Sequence, residues 1–149
     1  MRIAGAALNQ IPFDWAHNLR NIRTAIEQAK SEGVELLCLP ELCLTGYGCE
    51  DLFLSDWLPA AALAHLQQIR PLDGRAFAWW WGCRCGWTHR TYNTAAVLRD
   101  GQILGFAAKQ FLANDGVHYE TRFFAPWLAG ETTTVNFGGR KLAAGRPDV

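Results

Sequence analysis

The chain has 149 residues, of which half are apolar and 19% are charged, so it is long and apolar enough for one domain with a core and is not typical of a disordered protein. Its 14 Lys and Arg residues balance 14 Asp and Glu residues, which argues against nucleic acid or an anionic membrane as a partner. The sequence has no apolar run of membrane-spanning length, and five cysteines without a recognisable secretion signal predict free thiols in a reducing cytoplasm.

The first forty residues predict a strand, a helix and a second strand. Residues 2–8 predict a buried strand, and Asp14 is well placed to cap a helix that ends near Gly33. Residues 34–39 predict a second buried strand, and this order is typical of a βαβ unit in an α/β fold. The apolar residues of the helix recur at helical spacing: Leu19, Ile22, Ile26 and Ala29.

The middle of the chain predicts a second helix and a hairpin. Residues 92–98 and 102–107 predict two strands joined by an Asp100-Gly101 turn, a good hairpin signal between apolar runs. The second helix is predicted to be capped by Ser55 and to bury one face: Leu58, Ala62, Leu66 and Ile69.

The second predicted strand ends at Leu39, and Glu41 follows it with only Pro40 between them. The carboxyl ends of strands are where α/β proteins keep their chemistry. The sequence therefore predicts a partly desolvated carboxylate that is suited to proton transfer.

Three segments, in this order and spacing, resemble the nitrilase (carbon-nitrogen hydrolase) superfamily: residues 39–47, 92–101 and 109–124. The extension at 50–53 and the run at 114–120 are most similar to the glutamine amidase branch found in glutamine-dependent NAD synthetases. The resemblance implies an α/β fold, the first half of the nitrilase-type four-layer α-β-β-α sandwich. Residues 1–149 are expected to be a partial domain of this kind.

The resemblance also assigns roles, since the family works with a Glu-Lys-Cys triad. Glu41 matches the general base that takes the thiol proton, and Lys109 matches the lysine that stabilises the oxyanion. Glu120 matches a second carboxylate that orients the lysine, and Tyr47 matches a residue that lines the glutamine pocket. No metal site is implied.

The implied reaction is hydrolysis of the glutamine side-chain amide, with the ammonia passed to an ATP-dependent synthetase domain that converts deamido-NAD to NAD. The amidase domain is expected to need no cofactor, because ATP and magnesium belong to the synthetase domain, which these residues do not contain. Glutamine is the expected ligand, with no nucleic acid or membrane partner, and the intact protein is expected to form a homo-oligomer.

The family's nucleophile lies in an Ile-Cys-Glu-Asp type motif that none of the five cysteines matches. Cys38 and Cys43 are predicted to be core neighbours of a strand, and Cys49 is predicted to lie in the loop after Tyr47. We expect the chain to be truncated before the nucleophile and to be inactive alone.

Residues 79–87 are unusually rich in tryptophan where a third strand is expected. Tryptophan has one codon, TGG, and a run of TGG codons shifted by two bases reads as consecutive valine codons, which suit a buried strand. A one-base shift of the tail likewise produces a family-like linker. We expect frame disruptions near 74–90 and 143–149, which resequencing would test.

Two other readings stay open. One is a carbon-nitrogen hydrolase that acts on a simple amide or nitrile, and the other is a non-catalytic fragment that binds a partner through the edges of an unfinished sheet. A metal site is not predicted, because Cys83, Cys85 and His89 provide three candidate ligands where a structural zinc site needs four.

Overall fold

A computed structural model describes residues 1–69, 76–84 and 90–145, the middle range by its backbone alone. Within these ranges the chain forms two α-helices and seven strands, together with short 3-10 helices at Glu50–Leu54 and Glu120–Arg122. The helices are α1 (Trp15–Ser31) and α2 (Trp57–Leu66), and the strands are β1 (Ile3–Gly5), β2 (Leu36–Cys38), β3 (Ala76–Arg84), β4 (Thr91–Arg99), β5 (Gln102–Ala108), β6 (Thr132–Phe137) and β7 (Arg140–Gly145).

All seven strands belong to one mixed sheet with the order β1-β2-β3-β4-β5-β7-β6. The pairs β1/β2, β2/β3 and β5/β7 are parallel, whereas β3/β4, β4/β5 and β6/β7 are antiparallel. The carboxyl ends of β2 and β5 and the amino end of β4 therefore lie at the same edge of the sheet. The α/β fold class is confirmed, and this edge is where such sheets place their sites.

Helix α1 forms as the sequence predicts. The Asp14 side chain accepts a hydrogen bond from the His17 N–H at 2.9 Å, which satisfies one free donor of the first turn. The four predicted apolar residues are buried, and Gly33 follows the C-cap with a φ of 70° that glycine adopts without strain.

Helix α2 begins two residues after Ser55, and its N-cap is Asp56 rather than the predicted Ser55, although the Ser55 hydroxyl accepts a hydrogen bond from the Leu58 N–H at 3.4 Å. The predicted face is buried: Leu58, Ala62 and Leu66 lie on the helix, and Ile69 lies just beyond its end. No helix in the described part of the chain combines the length and apolar character that a membrane crossing requires.

The β4–β5 hairpin is confirmed. Strand β4 extends one residue beyond the prediction at each end, and β5 extends one residue beyond it at its carboxyl end. Asp100 and Gly101 have φ values of 50° and 72°, the positive values that a two-residue turn between twisted strands requires. Strands β6 and β7 were not predicted, although Gly138 and Gly139, with φ values of 55° and 79°, provide the same kind of turn signal between them.

Two burial predictions are wrong. The predicted buried strand at 2–8 shortens to β1, which lies at the sheet edge and leaves Ile3 56% exposed. Cys38, predicted as a core neighbour, is exposed, whereas Leu37 beside it is buried in the core cluster that α1 joins. Alternate residues of a strand face opposite sides of a sheet, so covering one face leaves Cys38 outside the core.

The third strand is present as backbone: β3 pairs in parallel with β2 and antiparallel with β4. Residues 70–75, 85–89 and 146–149 lie outside the described residues. Of the predicted frame disruptions near 74–90 and 143–149, only residues 74–75, 85–89 and 146–149 fall outside them, and the disruptions stay a prediction.

Candidate active site

The loop that carries Glu41 is fixed to the core by hydrogen bonds from helix α1. The buried Asn18 side chain donates to the carbonyl oxygens of Ile11 at 2.8 Å and Leu44 at 3.0 Å, which ties α1 to this loop. Leu42, directly after Glu41, is buried with a φ of 53°, a left-handed conformation that costs a non-glycine residue energy. The packing around Leu42 thus holds a strained turn directly after Glu41.

Lys109 directly follows β5 and is held by the backbone on both sides. Its N–H donates to the Asn93 carbonyl at 2.8 Å, and its carbonyl accepts from the Trp127 N–H at 3.0 Å. The lysine stem therefore leaves the sheet from a fixed point beside β4.

Glu120 opens the 3-10 helix Glu120–Arg122, and its side chain is only 4% exposed. Its Oε2 accepts from the Ala113 N–H at 2.7 Å, and its own N–H donates to the Ala113 carbonyl at 3.0 Å. These two bonds close the loop between the two residues and fix the buried carboxylate.

The structure brings together the three residues predicted to be catalytic. The Lys109 Nζ lies 2.6 Å from the Glu41 Oε1, 3.0 Å from the Glu120 Oε1 and 2.9 Å from the Glu120 Oε2. The Glu41 and Lys109 side chains are 26% and 20% exposed, so they face an opening, whereas Glu120 lies behind them. The group is an ammonium held between two carboxylates.

Asn93 joins the same group, and sequence reasoning missed it. Its side chain is fully buried in β4, and its Nδ2 donates to the Glu41 Oε1 at 3.0 Å and to the Glu120 Oε1 at 3.3 Å. The available signal was a carboxamide in a mostly buried strand, in the second segment that resembles the family. We call these four residues, Glu41, Asn93, Lys109 and Glu120, the carboxylate cage.

The charges of the cage support one another. Burial acts to raise the pKa of Glu120, but hydrogen bonds from Lys109 and the Ala113 N–H outweigh it and leave that pKa below its usual value. Burial acts to lower the pKa of Lys109, and the two carboxylates reverse this and leave that pKa above its usual value. The lysine is therefore held as a cation.

A family model described as carbon-nitrogen hydrolase matches residues 2–142. The chain belongs to the carbon-nitrogen hydrolase family. Within this family it is 36% identical over 134 residues to the glutamine-dependent NAD(+) synthetase of Oryza sativa subsp. indica, covering 85% of this chain and 17% of the relative. The chain spans about a fifth of the length of the curated relatives it matches, from 17% to 21%.

Solved structures agree with this assignment. The crystal structure of a glutamine-dependent NAD(+) synthetase from Cytophaga hutchinsonii is 47% identical with a TM-score of 0.91, covering 97% of this chain and 25% of that one. An amidase from Nesterenkonia sp. is 28% identical with a TM-score of 0.71, covering 96% of this chain and 54% of that one. The same fold thus occurs in a synthetase and in an amidase.

Tyr47 lies beside the cage of this carbon-nitrogen hydrolase. Its hydroxyl is 3.5 Å from the Glu120 Oε1, and burial together with the negative charges of Glu120 and Glu41 raises the pKa of Tyr47. A cavity of about 280 Å³ lies next to it, with Phe53 and Phe124 among its apolar walls and His118 on its exposed side. The location is compatible with the predicted pocket role of Tyr47, which stays a prediction.

Two side-chain contacts near Glu120 join its loop to the segment that begins at Glu50. The Tyr119 hydroxyl donates to both oxygens of Glu50, at 3.1 and 2.9 Å. Arg122 donates to both oxygens of Asp51, at 2.7 and 2.9 Å. Tyr119 and Arg122, which lie on either side of Glu120 in the sequence, are thereby bound to the acidic extension at 50–53, which carries the family resemblance.

The three cysteines with described side chains do not provide a thiolate to the cage. Burial raises the pKa of Cys43 to about 12 and that of Cys49 to about 11, and the Cys49 thiol donates to the Thr45 carbonyl. Cys38 is exposed, and the hydrogen bonds of Glu41 run to Lys109 and Asn93. The candidate metal ligands Cys83, Cys85 and His89 lie outside the described side chains.

Proposed function

We propose that this chain carries the general base and the oxyanion-stabilising lysine of a glutamine amidase that supplies ammonia to an NAD synthetase. The observation that carries the proposal is the position of the Lys109 ammonium between Glu41 and Glu120, within 3.0 Å of an oxygen of each. A base and a cation at one opening are the groups that amide hydrolysis by a thiol requires.

Glu41 is the proposed general base. Its Oε1 accepts from Lys109 and Asn93, while its Oε2 has no hydrogen bond within the described chain. Oε2 can therefore accept the proton of a cysteine thiol as that sulfur attacks the amide carbon. The proton is then delivered to the departing nitrogen as the C–N bond breaks, which releases ammonia and leaves a thioester. Glu41 next takes a proton from the water that attacks the thioester carbon, and returns it to the sulfur as the C–S bond breaks and the acid is released.

Lys109 is the proposed oxyanion stabiliser. An ammonium has three N–H donors, so one for each carboxylate leaves a third for the oxygen on which negative charge develops. Glu120 supports this role because its negative charge and hydrogen bond keep Lys109 protonated. Without Glu120 the cation would be held less firmly and its direction less fixed.

The nucleophile is proposed to be a cysteine beyond these 149 residues, so that this chain is a partial amidase domain and is inactive alone. The thiols of Cys43 and Cys49 support this proposal, since both are buried and their raised pKa values disfavour the thiolate. No cofactor is proposed for the amidase step. ATP and magnesium are proposed to act in a synthetase domain within the same cytoplasmic homo-oligomer; the synthetase domain itself is proposed because the relatives are glutamine-dependent NAD(+) synthetases.

A second candidate is hydrolysis of a simple amide. It is favoured by the likeness to the Nesterenkonia sp. AN1 amidase, which has been solved with butyramide and with the acetamide moiety of fluoroacetamide covalently added at its active-site cysteine. The apolar walls of the cavity beside Tyr47 would also suit a short alkyl amide.

The test uses the full-length gene product that contains this chain. We expect ammonia release from glutamine, loss of that release in Glu41→Gln, and no loss in the matched surface change Glu131→Gln. NAD formation should continue in Glu41→Gln when free ammonia replaces glutamine, because only ammonia supply is removed. Turnover of butyramide but not glutamine would favour the second candidate, and Glu41-dependent ammonia release by the 149-residue chain alone would contradict an external nucleophile.

A further inference from the structure

Asn93 bridges the two carboxylate oxygens that Lys109 also bridges. Its Nδ2 lies 3.0 Å from the Glu41 Oε1 and 3.3 Å from the Glu120 Oε1, and Lys109 donates to the same two atoms. A primary amide nitrogen has two N–H donors, one for each carboxylate. The four side chains thus form a closed ring with two donors and two acceptors.

The orientation of the Asn93 amide follows from its neighbours. If its oxygen faced the cage, three oxygens would converge with one ammonium between them, so the NH2 group must face the carboxylates. The Oδ1 then points away, and it is the one buried side-chain polar atom without a hydrogen-bond partner among the described residues. A fully buried, half-satisfied amide is unfavourable in a strand, and its presence is explained by what the NH2 group does.

Lys109 bridges the two carboxylates with a charged ammonium, whereas Asn93 bridges them with a neutral amide. The two residues therefore respond differently when Glu41 is protonated. Once Glu41 takes a proton it becomes neutral, and its attraction to the Lys109 ammonium weakens. A hydrogen bond from a neutral amide depends less on that charge, so Asn93 still holds the Glu41 Oε1. Asn93 therefore keeps the Glu41 carboxyl group in place through proton uptake and proton return.

We propose that Asn93 is a positioning residue that holds Glu41 and Glu120 in one ring and keeps the Glu41 Oε2 free for the reacting proton. The structural part of this inference stands on the ring alone, and its catalytic consequence rests on the proposed amidase function. Asn93 itself acts through Glu41 and is not placed against the substrate.

The first measurement is a carbon-13 NMR titration of the glutamate carboxyl groups in the 149-residue chain. Asn93→Leu keeps the branched shape without a donor, and Asn93→Ala is the smaller second variant if leucine does not fit. We expect the Glu120 midpoint to rise in both variants, because this carboxylate loses an N–H donor. Asn136→Leu, on the exposed face of β6, should leave the Glu120 midpoint in place.

The second measurement is the kinetics of glutamine hydrolysis by the full-length gene product. We expect Asn93→Leu and Asn93→Ala to lower kcat at least about tenfold with KM changed less than about twofold, and to raise the acid limb of the pH profile. A merely structural role would lower the amount of folded protein without moving that limb. An unchanged Glu120 midpoint or an unchanged kcat in an active enzyme would overturn the inference, whereas a shifted Glu120 midpoint in a protein without Glu41-dependent activity would overturn the proposed function alone.

Discussion

The Glu41 Oε1 lies 2.6 Å from the Lys109 Nζ although 68 residues separate them in the chain. The parallel alignment of β2 and β5, with β3 and β4 between them, brings the ends of their strands to one edge of the sheet. The pair is only about a quarter exposed, so it is shielded enough to matter for stability as well as for chemistry.

Replacing Lys109 should destabilise the chain in a pH-dependent way. In Lys109→Met the buried Glu120 loses its cation, and we expect a loss of about 2 kcal/mol near pH 7, below the range for fully buried pairs because the site is partly open. The loss should shrink as the pH falls and Glu120 is protonated. Urea unfolding at several pH values measures it, with Lys141→Met on β7 as the exposed control; equal effects of both changes would contradict the ion-pair account.

The lowered pKa of Glu120 predicts the acid limb of stability. Hydrogen bonds from Lys109 and Ala113 overcome the effect of burial and keep the folded-state pKa below the ordinary value of 4.5. Glu120 therefore contributes stability above about pH 4.5, and that contribution is lost as the pH falls through the lower folded-state value. The free energy of unfolding should thus fall less steeply between pH 5 and pH 3 in Glu120→Gln than in the wild type.

The control for this acid limb is Glu131→Gln, which removes an exposed carboxylate of the same chemistry. It should leave the wild-type slope in place. If the two variants gave the same slope, the acid sensitivity would belong to some other group.

Local signals carried much of the fold prediction. The Asp14 cap and the apolar spacing of α1 lie within one short stretch, and the Asp100-Gly101 turn depends on two adjacent residues. Glu41 and Lys109 meet because each lies just beyond the carboxyl end of a strand, and such strand ends converge in this class of sheet. The helix cap, the apolar spacing and the turn depend on residues that are close together in the sequence, so they can be recognised without the folded structure.

The remaining features depend on neighbours that are distant in sequence. The sequence places Cys38 in a strand but does not say which face of the sheet is covered. In the structure the core covers the face of Leu37, and Cys38 lies on the exposed face. Asn93 looks like a poor strand residue until Glu41 and Glu120 are placed against its amide. A pattern along the chain does not contain these contacts.

Gly46 is predicted to be irreplaceable in the loop between Glu41 and Tyr47. It has a φ of 79°, and a Cβ at this position would lie 2.6 Å from the backbone nitrogen of Pro12. Gly46→Ala should therefore lower the free energy of unfolding by about 3 kcal/mol through left-handed strain and a backbone clash together. Gly116→Ala is the matched control, since Gly116 has a φ of 59° but nothing within 4 Å, so only the strain of about 1 kcal/mol is expected.

Urea unfolding of both glycine variants separates the two contributions. A similar loss of stability in each would mean that the loop at Pro12 relaxes to admit a methyl group. In that case the close approach of the two loops would not be what fixes the Glu41 turn.

The cysteines should differ sharply in reactivity, which tests whether the chain has an internal nucleophile. Thiolates react with iodoacetamide, and burial raises the pKa of Cys43 to about 12 and of Cys49 to about 11, whereas Cys38 is exposed. At pH 8 we expect Cys38 to be alkylated at least about a hundredfold faster than Cys43 and Cys49, with the difference lost in urea; peptide mapping by mass spectrometry measures each site. Fast labelling of Cys49 that disappears in Glu41→Gln would show a thiol activated by the base, and the proposed external nucleophile would then be wrong.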